Sequence, residues 1–222
     1  MIKIDPLDFD SALFGYPVGK ADIEFSSSEK EILEASKSFQ LVYLFSGAPL
    51  DFQSKQIIPT GETVQFSKSL EGSSEEQKEV SVLAQSPTKD HLSLAFQSGK
   101  FSRFKTDQRL TNGEFEKLYS IWLHKEYQEG KVFLINENQG LISVSGSGNN
   151  AQIGLFAVDK KFRGQGLGRK LLEHLEFQLS QKGIKKLTVK TQRANSVAVN
   201  FYVKNGFREV GSRFVCHFWD RE

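Results

Sequence analysis

Val158-Asp159-Lys160-Lys161-Phe162-Arg163-Gly164-Gln165-Gly166-Leu167-Gly168 is the stretch on which the fold turns: an apolar strand passes through a charged corner into glycines and then into a helix. Upstream, Gln152–Val158 reads as a strand. Downstream, Leu171, Leu172, Leu175 and Leu179 mark the apolar face of a helix running from Gly166 to Lys182. Glycines at 164, 166 and 168 let the backbone approach a ligand with no Cβ in the way. The first amides of the helix lack intrahelical acceptors, so they point outward as donors. The helix dipole adds about 0.3–1 kcal/mol for an anion at that end. Each hydrogen bond to a charged oxygen adds roughly 1.5–3 kcal/mol. Several together hold a pyrophosphate without a metal.

Two familiar phosphate loops are excluded by their chemistry. A P-loop ends in Gly-Lys-Ser/Thr, whereas here Arg169, Lys170 and Leu171 follow Gly168 and offer no hydroxyl for magnesium. A Rossmann turn follows the first strand of a parallel unit and has an acidic residue closing the second strand. Here the turn follows an antiparallel hairpin, Lys131–Asn136 with Leu141–Ser145, and the next strand ends Lys190-Thr191-Gln192.

Further out, Thr111 and Glu114 predict a capping box opening a helix whose inner face carries Phe115, Leu118, Tyr119 and Trp122. After the glycine loop and its helix come a strand, Ile184–Thr191, a short helix, Asn195–Lys204, and closing strands between Phe207 and Trp219. Hairpin, helix, strand, helix, strand is an α+β order with a mixed sheet. In the first half, Ser28 and Glu31 predict a capped helix, Leu41–Phe45 a buried strand, Thr60-Gly61-Glu62 a turn, and Thr63–Phe66 another strand. The polar run Glu71–Glu79 reads as a loop tip or linker. The boundary is placed just after it, near Ser86-Pro87, giving an N-terminal α/β domain of residues 1–86 and a second domain of residues 87–222.

Composition narrows the classes. Twenty-nine basic against 27 acidic residues leave a net charge of +2, too balanced for a nucleic-acid coat. Cys216 is the one cysteine, which excludes an intrachain disulfide and a Cys/His zinc site of the usual spacing, so no metal is expected. No run of about 18 apolar residues occurs and the start carries no signal-like apolar core, so a cytoplasmic protein without membrane contact is expected.

The quoted stretch resembles motif A of the GCN5-related N-acetyltransferases (GNAT), the Arg/Gln-x-x-Gly-x-Gly/Ala signature. Asn195-x-x-Ala198-x-x-x-Tyr202-x-x-x-Gly206-Phe207 resembles motif B of the same superfamily. Two motifs in order, separated by one helix and one strand, are far more specific than either alone, and the resemblance covers residues 105 to 219. It implies a mixed, mostly antiparallel, splayed sheet flanked by helices, and direct transfer of an acetyl group from acetyl-CoA to an amine. It also implies that the main chain of Phe156 and Val158 pairs with the pantetheine arm. The amides around Arg163, Gly164, Gly166, Leu167 and Gly168 then hold the pyrophosphate, and the Asn195 side chain contacts pantetheine. Tyr202 stands at the position of the family's usual general acid. A thiol titrates near ~8.5 and a tyrosine near ~10, so a phenol within hydrogen-bond reach protonates a departing thiolate at little cost. The base is unassigned: His91 and Glu114 read more readily as cap or surface residues, and a water chain serves equally well. Cys216 reads as a small buried hydrophobe, not a nucleophile.

A closer resemblance touches the acceptor. Asp10-Ser11-Ala12-Leu13-Phe14-Gly15, and Ser102-Arg103-Phe104 before the Trp122 helix, look like regions of bacterial TDP-fucosamine acetyltransferases, which act on a nucleotide-linked amino-deoxy sugar in surface-glycan synthesis. The full Arg-Gly-Gln-Gly-Leu-Gly loop is a departure, since those relatives can lack it. A TDP-amino sugar brings a diphosphate that needs donors away from the thioester, and Arg103 is the candidate. Another amine (peptide, polyamine or aminoglycoside) and a non-catalytic acetyl-CoA-binding module stay open. Association into homodimers goes with such families.

Overall fold

The computed structural model describes residues 2–24, 26–70 and 75–220. The first half holds β1 (Asp5–Pro6), α1 (Asp8–Phe14), β2 (Val18–Ile23), α2 (Glu29–Ser36), β3 (Leu41–Ser46), β4 (Ile57–Ser69) and β5 (Val80–Val82). Then follow α3 (Lys89–Ser98), α4 (Arg103–Thr106), α5 (Glu114–Gln128), β6 (Val132–Ile135), β7 (Gly140–Ser147) and β8 (Asn150–Val158). The chain ends with α6 (Leu167–Gln181), β9 (Lys186–Gln192), α7 (Ser196–Lys204) and β10 (Arg208–Trp219). Residues 71–74, in the polar run expected to be a loop or linker, lie outside the described residues.

Among the described residues the strands form one open sheet in the order β1-β2-β3-β10-β4-β9-β8-β7-β6-β5. Its pairs are antiparallel except β2 with β3 and β8 with β9, so the sheet is mixed and mostly antiparallel, as expected. Hydrogen-bonded pairing crosses the expected division near Ser86-Pro87: β4, from before it, lies between β10 and β9, from after it. Strand alternation sends successive side chains to opposite faces. Leu171, Leu172 and Leu175 of α6 and Tyr202 of α7 pack on one face with Ile153, Val189, Val64 and Phe66. Phe115, Tyr119 and Leu123 of α5 and Leu94 of α3 pack on the other with Leu141, Leu155 and Ala157. The chain thus buries both faces of the central strands.

Local signals held where short-range chemistry decides. The Ser28–Glu31 capping box forms both bonds, Ser28 N–H to Glu31 Oε2 at 3.0 Å and Glu31 N–H to Ser28 Oγ at 3.3 Å. Two expectations fail. Thr60-Gly61-Glu62 is not a turn but an irregularity inside the long β4: Gly61 pairs with Val215 and Pro59 with the next residue, Cys216, so Thr60 bulges out. Gly61, at φ +122°, supplies the conformation the bulge needs. Pro59 is tolerated because β9 reaches β4 only from Thr63 onward, so its missing N–H breaks no second ladder. The Thr111–Glu114 box does not form either. The cap of α5 is Gly113 in the left-handed region, and Glu114, 1% exposed, accepts from the Asn112 N–H at 2.7 Å and the Tyr16 hydroxyl at 3.2 Å. A neighbouring amide and a long-range hydroxyl together hold the carboxylate away from a Thr111 cap. Cys216 is buried beside Ile32, Val42 and Phe218, and burial pushes its thiol up to about 11, away from nucleophilic chemistry.

Candidate active site

The two parallel central strands separate partway along. Pairs between β8 and β9 run from Asn150–Lys186 to Ile153–Val189 and stop, although the strands continue to Val158 and Gln192. On its other edge β8 stays paired with β7 out to Val158–Gly140. The register shifts between Ile142 and Val144, leaving Ser143 opposite an extra β8 residue, and the Ser143 Oγ accepts the Leu155 N–H at 2.8 Å. Ile153 packs on the α6 face, whereas Leu155 and Ala157 pack on the α5 face and Phe156 and Val158 on the α6 face. The bulge therefore sits at Gly154–Leu155, and the splay of the sheet begins there.

The Leu155 and Asp159 N–H groups bond toward β7, to Ser143 Oγ and to the Gln139 carbonyl at 2.9 Å. Alternation then turns the N–H groups of Phe156 and Val158 into the opening. The carbonyl of Val158 is not equally free: it accepts from Arg163 Nε at 3.0 Å. Arg163 also donates to Gln97 Oε1 at 3.4 Å, and Gln97 Nε2 donates to Asp159 Oδ2 at 3.2 Å. The Arg163 side chain thus braces the corner of the loop.

Beyond that corner, Asp159 Oδ1 caps a 3₁₀ turn over Lys160–Phe162 by accepting the Lys161 N–H at 2.9 Å. Gly164 and Gly166 both take φ +78°, a conformation L side chains rarely adopt. Gly166 is the cap of α6 and no side chain caps that helix; its first internal bond is Lys170 N–H to the Gly166 carbonyl at 3.1 Å. The N–H groups of Leu167, Gly168 and Arg169 precede that bond and are free of intrahelical acceptors. A Cβ on Gly168 would lie 3.4 Å from the Phe201 ring and 3.6 Å from Val158, so loop, β8 and α7 converge there. Of the nearby cations, Arg169 pairs with Glu173 and Lys170 with Glu79, while Lys160 and Lys161 stay exposed.

On α7, Asn195 Oδ1 accepts the Ala198 N–H at 3.2 Å, so its carbonyl oxygen is a helix cap and its amide nitrogen remains for other contacts. Tyr202 is 4% exposed and lies among Phe66, Phe156, Phe201 and Phe207, with ring centroids 6.0, 6.4, 5.6 and 5.4 Å away. Burial pushes its phenol above the ordinary value, so it stays protonated at neutral pH. His91 is engaged as the cap partner of Thr88, accepting its N–H at 3.1 Å.

Arg103, the candidate contact for an acceptor diphosphate, lies among aromatic rings. Its guanidinium sits 4.3 Å from the Phe104 ring centroid and 4.5 Å from that of Tyr43, and desolvation lowers its pKa. The Tyr43 hydroxyl donates to Asp10 Oδ2 at 2.9 Å, and the Tyr43 ring packs 5.1 Å from the imidazole of His217. Asp107 Oδ2 lies 2.6 Å from His217 Nδ1 and accepts from Trp219 Nε1 at 2.9 Å. This cluster joins Asp10 of α1 and Tyr43 of β3 to the α4 region, bringing the two separately quoted stretches, 10–15 and 102–104, together. Burial first of all holds His217 down to about 4, against about 6.5 for an unfolded histidine. The unfolded chain therefore binds a proton that the folded state refuses. The stabilisation is complete above about pH 6.5 and drains away as pH falls toward 4. Thermal melts between pH 7.5 and 4 should show Tm falling through that window, and a flat profile would contradict a neutral imidazole.

Glu126 was missed in the sequence. It lies four residues after Trp122 on the stripe that carries Phe115 and Tyr119, and a carboxylate on a core-facing stripe is the signal that could have found it. It is 6% exposed and accepts from Trp122 Nε1 at 2.9 Å. Among the described residues no group of three or more His, Cys, Asp and Glu gathers as a metal site would, and no helix is long and apolar enough to cross a membrane.

Known proteins resemble this chain in sequence and in fold. A family model described as an acetyltransferase (GNAT) domain matches residues 105–218. The ribosomal protein bS18 alanine N-acetyltransferase of Escherichia coli K12 is 40% identical over 58 residues, 26% of this chain and 39% of that protein. The corresponding Salmonella typhimurium protein matches to the same extent, so the chain spans about two fifths of the length of these curated relatives. Among solved structures, a GCN5-related N-acetyltransferase from Sphaerobacter thermophilus superposes with a TM-score of 0.59 at 11% identity, over 99% of this chain and 76% of that one. A GNAT-family acetyltransferase from Colwellia psychrerythraea does so at 0.53 and 13%, over 99% of both chains. At such identities the likeness is one of fold. With the family match over more than half of the sequence and the splayed sheet opening onto a glycine-capped helix, the chain belongs to the GNAT family of acetyltransferases.

Proposed function

We propose that the protein is an N-acetyltransferase that moves an acetyl group from acetyl-CoA to a primary amine. One observation carries this reading: the open edge of β8, with the Phe156 and Val158 amides turned into the splay, leads directly into the uncapped amides of α6. An extended amide-containing arm ending in a diphosphate is the ligand such a line of donors suits, and acetyl-CoA supplies that arm together with an activated acyl group. The Phe156 and Val158 N–H groups align the arm, with Arg163 holding the Val158 carbonyl out of the way. The amides following Gly164 and Gly166 grip the diphosphate, and the Asn195 amide nitrogen adds a side contact. Tyr202, kept protonated by its aromatic surroundings, gives its proton to the departing sulfur.

For the acceptor, a nucleotide-linked amino-deoxy sugar is the first reading, with residues 1–86 on the acceptor side. It is supported by the meeting of Asp10, Tyr43 and Arg103 on the α5 side of the sheet. Arg103 then acts by shaping that wall, since its guanidinium is stacked between rings. A second reading, an alanine-ended peptide, is favoured by the local identity to the ribosomal-protein alanine acetyltransferases. A thiol-release assay across TDP-amino sugars, alanine-ended peptides, polyamines and aminoglycosides tests both. Release only with TDP-amino sugars is the expected result; release only with peptides transfers the assignment to the second reading, and no release with any amine overturns the activity.

A further inference from the structure

Acetyl transfer to an amine needs a group that takes the amine's proton, and the roles assigned above leave that one unfilled. We propose that Glu126 is that group; the proposal rests on the N-acetyltransferase reading above. Its position is the first reason. A Cβ built on Gly154 would lie 3.1 Å from Glu126 Oε1, 2.9 Å from Ser143 Oγ and 3.2 Å from the Trp122 ring. Gly154 follows Ile153, the last β8 residue paired with β9, so the carboxylate stands over the residue at which the splay begins. The face matters equally. Tyr202 is on the α6–α7 side of the sheet, and Glu126 reaches Gly154 from the α5 side. Proton donor and proton acceptor thus flank the same opening from opposite faces. The attacking amine and the departing sulfur are separate substituents of the tetrahedral carbon, so a proton acceptor for one and a proton donor for the other, set apart from each other, suit the step.

The hydrogen bonding is the second reason. Oε1 is fixed by Trp122 Nε1 at 2.9 Å, while Oε2 is buried with no partner. A buried carboxylate oxygen left without a donor is costly unless a ligand provides one. Ser143 is committed to the Leu155 N–H, and among the described residues no cation pairs with Glu126. Gly154 is what gives the carboxylate room, since an added Cβ would press on Oε1 and Ser143 Oγ together.

The step balances. The amine nitrogen's lone pair forms the new N–C bond as the thioester C–S bond breaks. The ammonium proton passes to the Glu126 carboxylate, and the thiolate takes the Tyr202 proton. The products are an amide and a free thiol; solvent then takes the proton from Glu126 and supplies one to Tyr202, which resets both groups.

The test compares the wild type with Glu126→Gln on the amine that the thiol-release panel identifies, from pH 6 to 10, with acetyl-CoA binding measured by calorimetry. The expected result is a kcat lowered about 100-fold or more near pH 7, in the range general-base catalysis contributes. The acetyl-CoA Kd should change less than threefold, and the deficit should shrink as hydroxide replaces the carboxylate at high pH. A kcat within threefold of wild type, on an amine the wild type acetylates, overturns Glu126 and leaves the activity standing. A wild type that binds acetyl-CoA but acetylates no amine overturns the activity, and Glu126's role with it. Glu126→Asp and Gly154→Ala guard against misfolding: both keep a carboxylate but displace it. Gly154→Ala should lower kcat in the wild type and add little in the Glu126→Gln background, whereas fully additive losses overturn the proposal.

Discussion

Replacing Gly166 by valine should weaken acetyl-CoA binding about 100-fold or more, the larger of the two effects expected from single substitutions in the cofactor half of the site. Gly166 holds φ +78° at the cap of α6, where a left-handed conformation costs an ordinary L residue about 1–2 kcal/mol. Valine is worse placed still, because its branched Cβ is stiff. The chain then has two responses. If the corner keeps its shape, the cost appears as lost stability, visible as a lower Tm. If it relaxes, the Leu167 and Gly168 amides swing off line, and each misplaced bond to a charged oxygen loses roughly 1.5–3 kcal/mol. Two such bonds exceed the ~2.8 kcal/mol that corresponds to 100-fold in Kd. Calorimetric titration with acetyl-CoA beside a thermal melt separates the responses. A Kd within threefold of wild type at unchanged Tm would remove the loop from the binding site. The space around Gly166 is open, with no atom within 4 Å of a built Cβ, so the expected loss is conformational rather than a clash inside the protein.

Tyr202→Phe should lower kcat by about 100-fold while leaving acetyl-CoA binding nearly unchanged, the lower end of what a positioned acid contributes. The ring packs among Phe66, Phe156, Phe201 and Phe207, and phenylalanine keeps those contacts, so Tm should hardly move. Burial raises the phenol above its ordinary ~10, and a thiol's ordinary value is ~8.5. Proton donation to a fully solvated thiolate would therefore run uphill. It becomes favourable where the sulfur shares the same apolar surroundings, because burial raises a thiolate's proton affinity as well. The pH profile carries the signature. The wild type should hold its rate across neutral pH, and the phenylalanine variant should lose rate as pH rises and solvent acid becomes scarce. An unchanged kcat would leave Tyr202 as a packing residue, a role its position among four rings fits.

The three substitutions probe different parts of the proposed mechanism. In the proposed mechanism Gly166 would act on binding, Tyr202 on departure of the sulfur, and Glu126 on the incoming amine. Gly166 and Tyr202 both lie on the α6 side of the sheet, and Glu126 on the other.

Much of this was legible in the chain as written, and the boundary has a physical cause. The strand–loop–helix from Gln152 to Gln181 was readable because its signals are local: apolar periodicity, glycines where φ must be positive, and a helix start without a side-chain cap. The Ser28–Glu31 cap was readable for the same reason. The Thr111–Glu114 cap was misread because Tyr16, 98 residues from Glu114, takes part in deciding where that carboxylate goes. Gly61 was misread as a turn because a bulge and a turn ask the same thing of glycine, and only the partner strand distinguishes them.

The sequence by itself determined the glycine corner, the amphipathic helix behind it and the tyrosine spacing, because each follows from the conformational limits of neighbouring residues. Tertiary structure alone decided that β4 runs between β9 and β10, that Arg103 is enclosed by Tyr43 and Phe104, and that Glu126 reaches Gly154 from the opposite face to Tyr202. Those facts depend on contacts between residues tens to more than a hundred positions apart. Pairing of that kind is set by which faces and edges find partners, and no local pattern encodes it.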